Sequence, residues 1–332
     1  MRAFLLIGCA LLAMTTSAGA QAPVVTDVTA GQVMLDRLGF SSGEIDGRMG
    51  TNVKNAISAF QNAQGLPMSG QLDAATWQKL SEQSGGVPPL VSYVMTDADL
   101  AGPLTPDIPK DLMEQSKLMA LNYRTPLEAV AEKFHVSPTL LHTLNPRSTF
   151  DRAGEQLTVP NVMVAEAPPA PEPAPARGRG RGRGAAPVGT SGRAAAPGVT
   201  IYVTKATSAL TVEDASGKVI FHAPVTSGSE HDPLPIGMWK VKGVQRNPTF
   251  MYNPELFWDA NPAHSKAKIP PGPNNPVGVA WIDITKEHYG IHGTPEPANI
   301  GHAESHGCVR LTNWDVQRVA AWTRPGTTVI FR

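Results

Sequence analysis

Between Tyr289 and Leu311 the sequence brings together one cysteine and three histidines, as His292-Gly293, Gly301-His302 and Ser305-His306-Gly307-Cys308-Val309-Arg310. A thiol at its ordinary pKa of about 8.5 is mostly protonated near neutrality, and the thiolate is the form that attacks carbonyls. An imidazole within reach can take that proton, and His292 and His306 are the candidates. His306 lies two residues before Cys308, so on an extended strand both side chains share a face. His292, sixteen residues upstream, meets the thiol if its strand lies beside that of the cysteine. Gly307 lets backbone approach a substrate without a Cβ in the way, where N–H groups must point at a developing oxyanion. Arg310 offers a bidentate contact to a carboxylate. The same stretch also suits a metal, since His302, His306 and Cys308, with His292, make a set of zinc ligands. Spacing alone favours the cysteine reading modestly and leaves zinc open.

The elements that must position these residues are mostly strands. Val199 to Val203, Ala209 to Val212, Val219 to Pro224, Trp239 to Val244, Gly278 to Ile284 and Thr328 to Phe331 are β-branched or alternating runs separated by turn residues. One helix is expected late, where Thr312-Asn313-Trp314-Asp315 supplies a cap and box ahead of Val316, Val319 and Ala320. The unit from 199 to 332 is therefore mostly β with peripheral helix.

The start of the chain bears on the thiol. Arg2, the apolar run Phe4 to Met14 and Ala18-Gly19-Ala20 read as a secretory leader over residues 1–20. The run is short for a bilayer span, and no later stretch qualifies. Leu6-Ile7-Gly8-Cys9 resembles a lipoprotein cleavage box, but cutting there leaves an apolar run of a few residues, so ordinary cleavage and export to the periplasm or cell envelope are expected. Of the two cysteines, Cys9 then leaves with the leader. Cys308 remains as an odd thiol, either a core residue or a reactive group. Lysine plus arginine (28) equals aspartate plus glutamate (28), so no global charge argues for a nucleic-acid partner.

Ahead of the strand-rich unit lie two smaller ones and a linker. Over 24–85, Thr51 or Asn52 is a candidate cap for a helix with Val53, Ala56, Ile57 and Phe60 on one face. Asp73 is a cap for another helix carrying Trp77 and Leu80. Leu38-Gly39-Phe40, Gly43, Asp46-Gly47, Gly50, Ala59-Phe60-Gln61, Gly65-Leu66, Gly70 and Thr76-Trp77 stand in the order of the helical peptidoglycan-binding domain, which this segment resembles. The resemblance implies wall binding, with an inert spacer as the plainer reading. Over 118–163, Thr125-Pro126-Leu127-Glu128 reads as a capping box, Ser137-Pro138 starts a second helix, and Val159-Pro160 ends a short strand. This pattern is similar to a LysM module, although Arg124-Thr125-Pro126 replaces the usual Gly-Asp-Thr opening. Residues 164–198, with Arg-Gly repeats from Arg177 to Gly184, read as a solvated tether.

His292-Gly293 followed by Ser305-His306-Gly307-Cys308-Val309-Arg310 is the signature of the YkuD-type L,D-transpeptidase domain, which the last unit resembles along its length. Further matches are Val225-Thr226-Ser227-Gly228, Leu234-Pro235-Ile236-Gly237, Asn247-Pro248-Thr249 and Ile269 to Gly278. Leu-Pro-Ile-Gly stands where Thr-Pro-Thr-Gly is common. The resemblance implies a multidomain protein: a small all-α bundle, a LysM-like α+β module and a mostly β, YkuD-like β-sandwich. It implies Cys308 as nucleophile, His292 as its base and the Gly293 carbonyl orienting that imidazole. His306 would shape the pocket, the N–H groups of Gly307 and Cys308 would form an oxyanion hole, and Arg310, with Ser305 and Tyr252, would contact substrate. The implied reaction is acyl transfer on peptidoglycan stem peptides. Cys308 releases D-Ala from a tetrapeptide, and an amine of a second stem or an envelope protein resolves the thioester. No metal or organic cofactor is implied, and a carbapenem adduct on the cysteine is. Hydrolysis by the same acyl-enzyme, or a noncatalytic wall-binding role, are the alternatives.

Overall fold

The computed structural model describes residues 26–162, 198–302 and 305–332. The expected leader at 1–20, with Cys9, and the expected linker, apart from Gly198, lie outside the described residues. No helix among the described residues is long and apolar enough to cross a membrane.

The first unit is a bundle of α1 (Asp27–Arg37), α2 (Thr51–Ala63) and α3 (Ala74–Gln83). Thr26 caps α1 by accepting from the Thr29 N–H, and Asp73 caps α3 by accepting from the Thr76 N–H. Val53, Ala56, Ile57 and Phe60 form the buried face of α2, packed with Leu35, Phe40 and Leu80. The N-cap of α2 is Gly50, without a side-chain bond, rather than Thr51 or Asn52. The Asn52 amide is used elsewhere, donating to the Ile300 carbonyl of the strand-rich unit at 2.9 Å.

The second unit begins well upstream of residue 118. Its strand β2 (Gln156–Pro160) pairs antiparallel with β1 (Leu90–Val94), in register from Leu90 opposite Pro160 to Val94 opposite Gln156. Two short helices, α4 (Asp97–Leu100) and α5 (Leu112–Gln115), come between β1 and the expected pair α6 (Pro126–Lys133) and α7 (Pro138–Leu144). Thr125 and Ser137 cap α6 and α7 with their hydroxyls. The Glu128 carboxylate returns to the Arg124 N–H rather than to the cap residue itself. Sequence reading missed β1 because its partner lies more than sixty residues away, beyond the reach of local pattern.

The third unit is a nine-stranded sheet. In chain order its strands are β3 (Thr200–Thr204), β4 (Ala209–Glu213), β5 (Val219–Pro224), β6 (Thr226–Ser227), β7 (Gly237–Arg246), β10 (Ala280–Ile284), β11 (Gly290–His292), β12 (Val309–Arg310) and β13 (Thr328–Phe331). A separate hairpin is made by β8 (Phe250–Tyr252) and β9 (Ala267–Ile269). The spatial order is β5-β4-β3-β13-β7-β10-β11-β12-β6. The long strand β7 belongs to both halves: Gly237 to Lys240 pair with β13, and Val241 to Arg246 pair with β10. Ile201, Val203 and Leu210 from one half and Ile282, Ile291 and Val309 from the other enter one core. The helix α8 (Asn313–Trp322) adds Val316 and Val319 to it.

All three units meet. The turn after α1 bonds the outer edge of β5, through Ser41 N–H to the His222 carbonyl and His222 N–H to the Gly39 carbonyl, both 2.8 Å. An edge strand left bare would invite pairing with another chain. The segment between β1 and α6 packs Ile108 and Leu121 against Tyr252 and Ile269 of the hairpin. Around α8, Asp36 pairs with Arg318 at 2.8 Å and with His135 at 2.8 Å, and Ser41 donates to Asp315 at 2.8 Å.

Candidate active site

Strand pairing decides which side chains can meet. Ile291 and Val309 are opposite each other on the parallel strands β11 and β12, and both are fully buried. Side chains alternate along a strand, so Gly290 and His292 on β11 and Arg310 on β12 belong to the opposite face, with Cys308 immediately before β12. On the other side of β11, Trp281 pairs with His292, and its ring stacks on the imidazole at 5.3 Å with 14° between planes. The strand of His292 therefore does lie beside that of Cys308.

His292 is buried, and its Nδ1 lies 2.7 Å from the Gly293 carbonyl oxygen. A carbonyl can only accept, so Nδ1 carries the proton and Nε2 keeps its lone pair. Burial, helped by the positive charge of Arg310, pushes the imidazole down to about 3. The half-buried Cys308 thiol points to the His288 carbonyl at 3.7 Å. Burial pushes it up to about 11, the charge of Asp232 adds to this, and the Gly290 backbone and Arg310 act the other way. The resting pair is thus a neutral thiol and a neutral imidazole.

Gly293 is held from behind by a residue read from the sequence merely as part of a helix start. Asn313, fully buried, accepts from the Val279 N–H through Oδ1 and donates through Nδ2 to Glu132 at 3.0 Å and the Pro273 carbonyl at 3.1 Å. A Cβ on Gly293 would lie 2.3 Å from Asn313 Oδ1. No local pattern marks this role, because the partners come from two segments distant in sequence, α6 and the stretch from Pro273 to Val279.

The turn before Cys308 departs from the expected strand. Gly307 has φ of +93° and a Cβ there would lie 2.4 Å from the Tyr289 ring. The chain becomes extended again at Val309, so the shared-face rule does not apply to His306. Its Nε2 instead meets Asp259 at 2.8 Å, and its ring lies edge-on to Phe257 at 5.1 Å. His306 therefore sits on the loop after β8 and not against the thiol. Ser305, expected to touch substrate, is buried and its hydroxyl bonds within the protein: it accepts from the Gly228 N–H at 2.6 Å and donates to the Cys308 carbonyl at 2.7 Å. It clamps the turn. Tyr252, also expected at the substrate, is buried in the hairpin's apolar cluster with its hydroxyl 3.1 Å from His264 Nδ1.

The N–H groups of Gly307 and Cys308 are not accepted by any described residue. Arg310 has a buried Nε, and Asp232 a buried Oδ2, with no described partner. Sequence reading passed over Asp232. The four residues considered as zinc ligands are dispersed: His292 is tied to Gly293, His306 to Asp259, and His302 lies on a cavity lined by the first unit. No group of three metal-binding side chains occurs among the described residues.

Residues 198–331 match the family model "L,D-transpeptidase catalytic domain" (YkuD), and residues 25–80 match "Putative peptidoglycan binding domain". The chain carries a YkuD-type L,D-transpeptidase catalytic domain behind a peptidoglycan-binding domain. "Putative L,D-transpeptidase YkuD" of Bacillus licheniformis is 48% identical over 59 residues, 18% of this chain and 36% of that protein. "Probable L,D-transpeptidase YbiS" of Escherichia coli is 34% identical over 112 residues, 32% of this chain and 36% of that protein. These matches span about a third of the relatives' own length. Among solved structures, an L,D-transpeptidase from Mycobacterium smegmatis aligns at 18% identity over 41% of this chain and 59% of its own, with a TM-score of 0.34.

Proposed function

We propose that the protein is an exported peptidoglycan L,D-transpeptidase in which Cys308 carries the acyl group and His292 moves the proton. The observation that supports the reading is the pairing of β11 with β12, which sets the strand of His292 beside the strand that Cys308 leads into, with the His292 tautomer fixed by Gly293. The sulfur attacks the carbonyl between the third residue of a stem tetrapeptide and its terminal D-Ala. As the C–S bond forms, the thiol proton passes to His292 Nε2, and the carbonyl electrons move to oxygen. The unclaimed N–H groups of Gly307 and Cys308 suit that oxyanion. The C–N bond then breaks, and His292 returns the proton to the departing D-Ala nitrogen. An acceptor amine attacks the thioester, loses its proton to His292, and the thiol is restored.

A neutral resting pair requires proton transfer to accompany attack rather than precede it. The positive charge of Arg310, with no described partner at Nε, suits a substrate carboxylate. The first unit supports delivery to the wall, and β1, α6, α7 and β2 support the LysM-like reading of the second. Incubating the protein and its Cys308→Ala variant with peptidoglycan tetrapeptides, with products read by mass, tests the reading. D-Ala release by the parent alone is expected, and equal release by both overturns it. Crosslinked dimers identify an amine acceptor, while free tripeptide identifies water.

A further inference from the structure

We infer that the cavity where the three units meet binds the primary ammonium group of a stem peptide, an inference that rests on the wall-substrate reading above. The cavity has a volume of about 410 Å³. The bundle contributes Ser42, Glu44 and Asp46, α7 contributes its first turn, and the catalytic unit contributes the segment from Pro297 to His302. It is complete when all three are docked. Gly301 N–H in the catalytic unit's wall bonds Thr226 Oγ1 at 3.0 Å, and Thr226 pairs with Arg310. The wall is thereby tied to the strand that carries Arg310, and Cys308, His292 and Arg310 do not line the cavity.

The lining has acceptors to spare. Ser42 is 4% exposed, and its buried Oγ has no partner among the described residues. Asp46 uses Oδ1 to accept from Gln32 Nε2 and the Arg48 N–H, each at 2.9 Å, and its Oδ2 has no partner among the described residues. Glu44 is half-buried beside it. Asn52, also in the lining, gives its amide N–H to Ile300 at 2.9 Å. Two carboxylates and a buried hydroxyl ask for a compact group with several donors and a positive charge. An ammonium brings three donors and one charge. Burial and the charge of Asp46 push Glu44 up to about 7, as expected for a carboxylate awaiting a counter-charge. Arg48 on the same loop and His302 on the catalytic wall are exposed, at the rim rather than the floor.

The test is calorimetric binding to the full chain carrying Cys308→Ala, so that no turnover is needed. The probes are a stem tetrapeptide with a free side-chain amine at its third residue and the same peptide acetylated there. The free amine is expected to bind about tenfold more tightly. Adding Glu44→Gln should erase that difference while leaving acetylated-peptide binding unchanged and the melting temperature no lower, and Ser42→Ala should reduce it. Free-amine affinity should rise from pH 6 to pH 8 as Glu44 ionises, and Glu44→Gln should flatten that rise. Equal affinity of the Glu44→Gln and parent proteins for the free-amine peptide overturns the inference, as does equal loss for both peptides. Amine-selective binding in a protein that never releases D-Ala would sink the catalytic reading and leave the cavity assignment standing.

Discussion

A half-buried thiol raised to about 11 and an imidazole lowered to about 3 make a different resting state from a preformed thiolate–imidazolium pair. The distinction is measurable by alkylation. The rate of iodoacetamide reaction at Cys308 should keep rising well above pH 9, because thiolate accumulates only as pH approaches the raised value. A plateau reached below pH 7 would show a preformed ion pair. Gly307 permits a second prediction at this scale. Its φ of +93° and the Tyr289 ring 2.4 Å from any Cβ mean that Gly307→Ala must displace backbone next to the thiol. Strain and overpacking of this kind cost about 1–3 kcal/mol, and misplacement by 1 Å costs about a hundredfold in rate. Thermal melting and D-Ala release on the same variant check both figures; unchanged values would deny the close contact.

At the scale of elements, the question is what holds β11 and its imidazole in place. Asn313, at the start of α8, bonds Val279, Glu132 and Pro273 while filling the space beside Gly293. Asn313→Ala should lower kcat by about ten- to a hundredfold with the far-ultraviolet circular dichroism retained, whereas full activity would leave α8 a mere packing element. Local pattern made α2, α3, α6, α7, α8 and most long strands legible, since each carries its own cap, apolar stripe or alternation. The candidate site was legible where residues sit in consecutive order, as with His292-Gly293 and Gly307-Cys308. It was not where an extended strand was assumed. The positive φ at Gly307 sends His306 to Asp259, and the folding of the loop spends Ser305 and Tyr252 on internal bonds. Asn313 and Asp232 carry no sequence mark because their neighbours are assembled by tertiary contact.

At the scale of the molecule, the front units are braced on α8 through buried charge. Asp36 is held below the usual carboxylate range: burial alone would raise it, but Arg318 and His135 outweigh that. Asp315 goes the other way, pushed up to about 7 by burial, with Asp36 adding and Arg318 opposing. A folded pKa above the unfolded value gives stability that is full below about pH 4 and lost as pH rises through 7. Melting temperature should therefore fall between pH 5 and pH 8, and Asp315→Asn should flatten that fall; an equal slope in both proteins would remove Asp315 as its cause. Residues 198–332 expressed alone should aggregate more readily than the whole chain, because the edge of β5 loses its cover from Gly39 to Ser41. Light scattering of the two proteins at equal concentration would check this, and equal monodispersity would contradict it.

The central claim is that Cys308 forms a covalent bond to the acyl group. Intact-mass analysis after rapid mixing with a stem tetrapeptide, followed by peptide mapping, tests this most directly. The account predicts a species heavier by the peptide less D-Ala, with the adduct on Cys308 and absent from Cys308→Ala. D-Ala release from the parent with no adduct at any mixing time, or an adduct mapped to another residue, would contradict it.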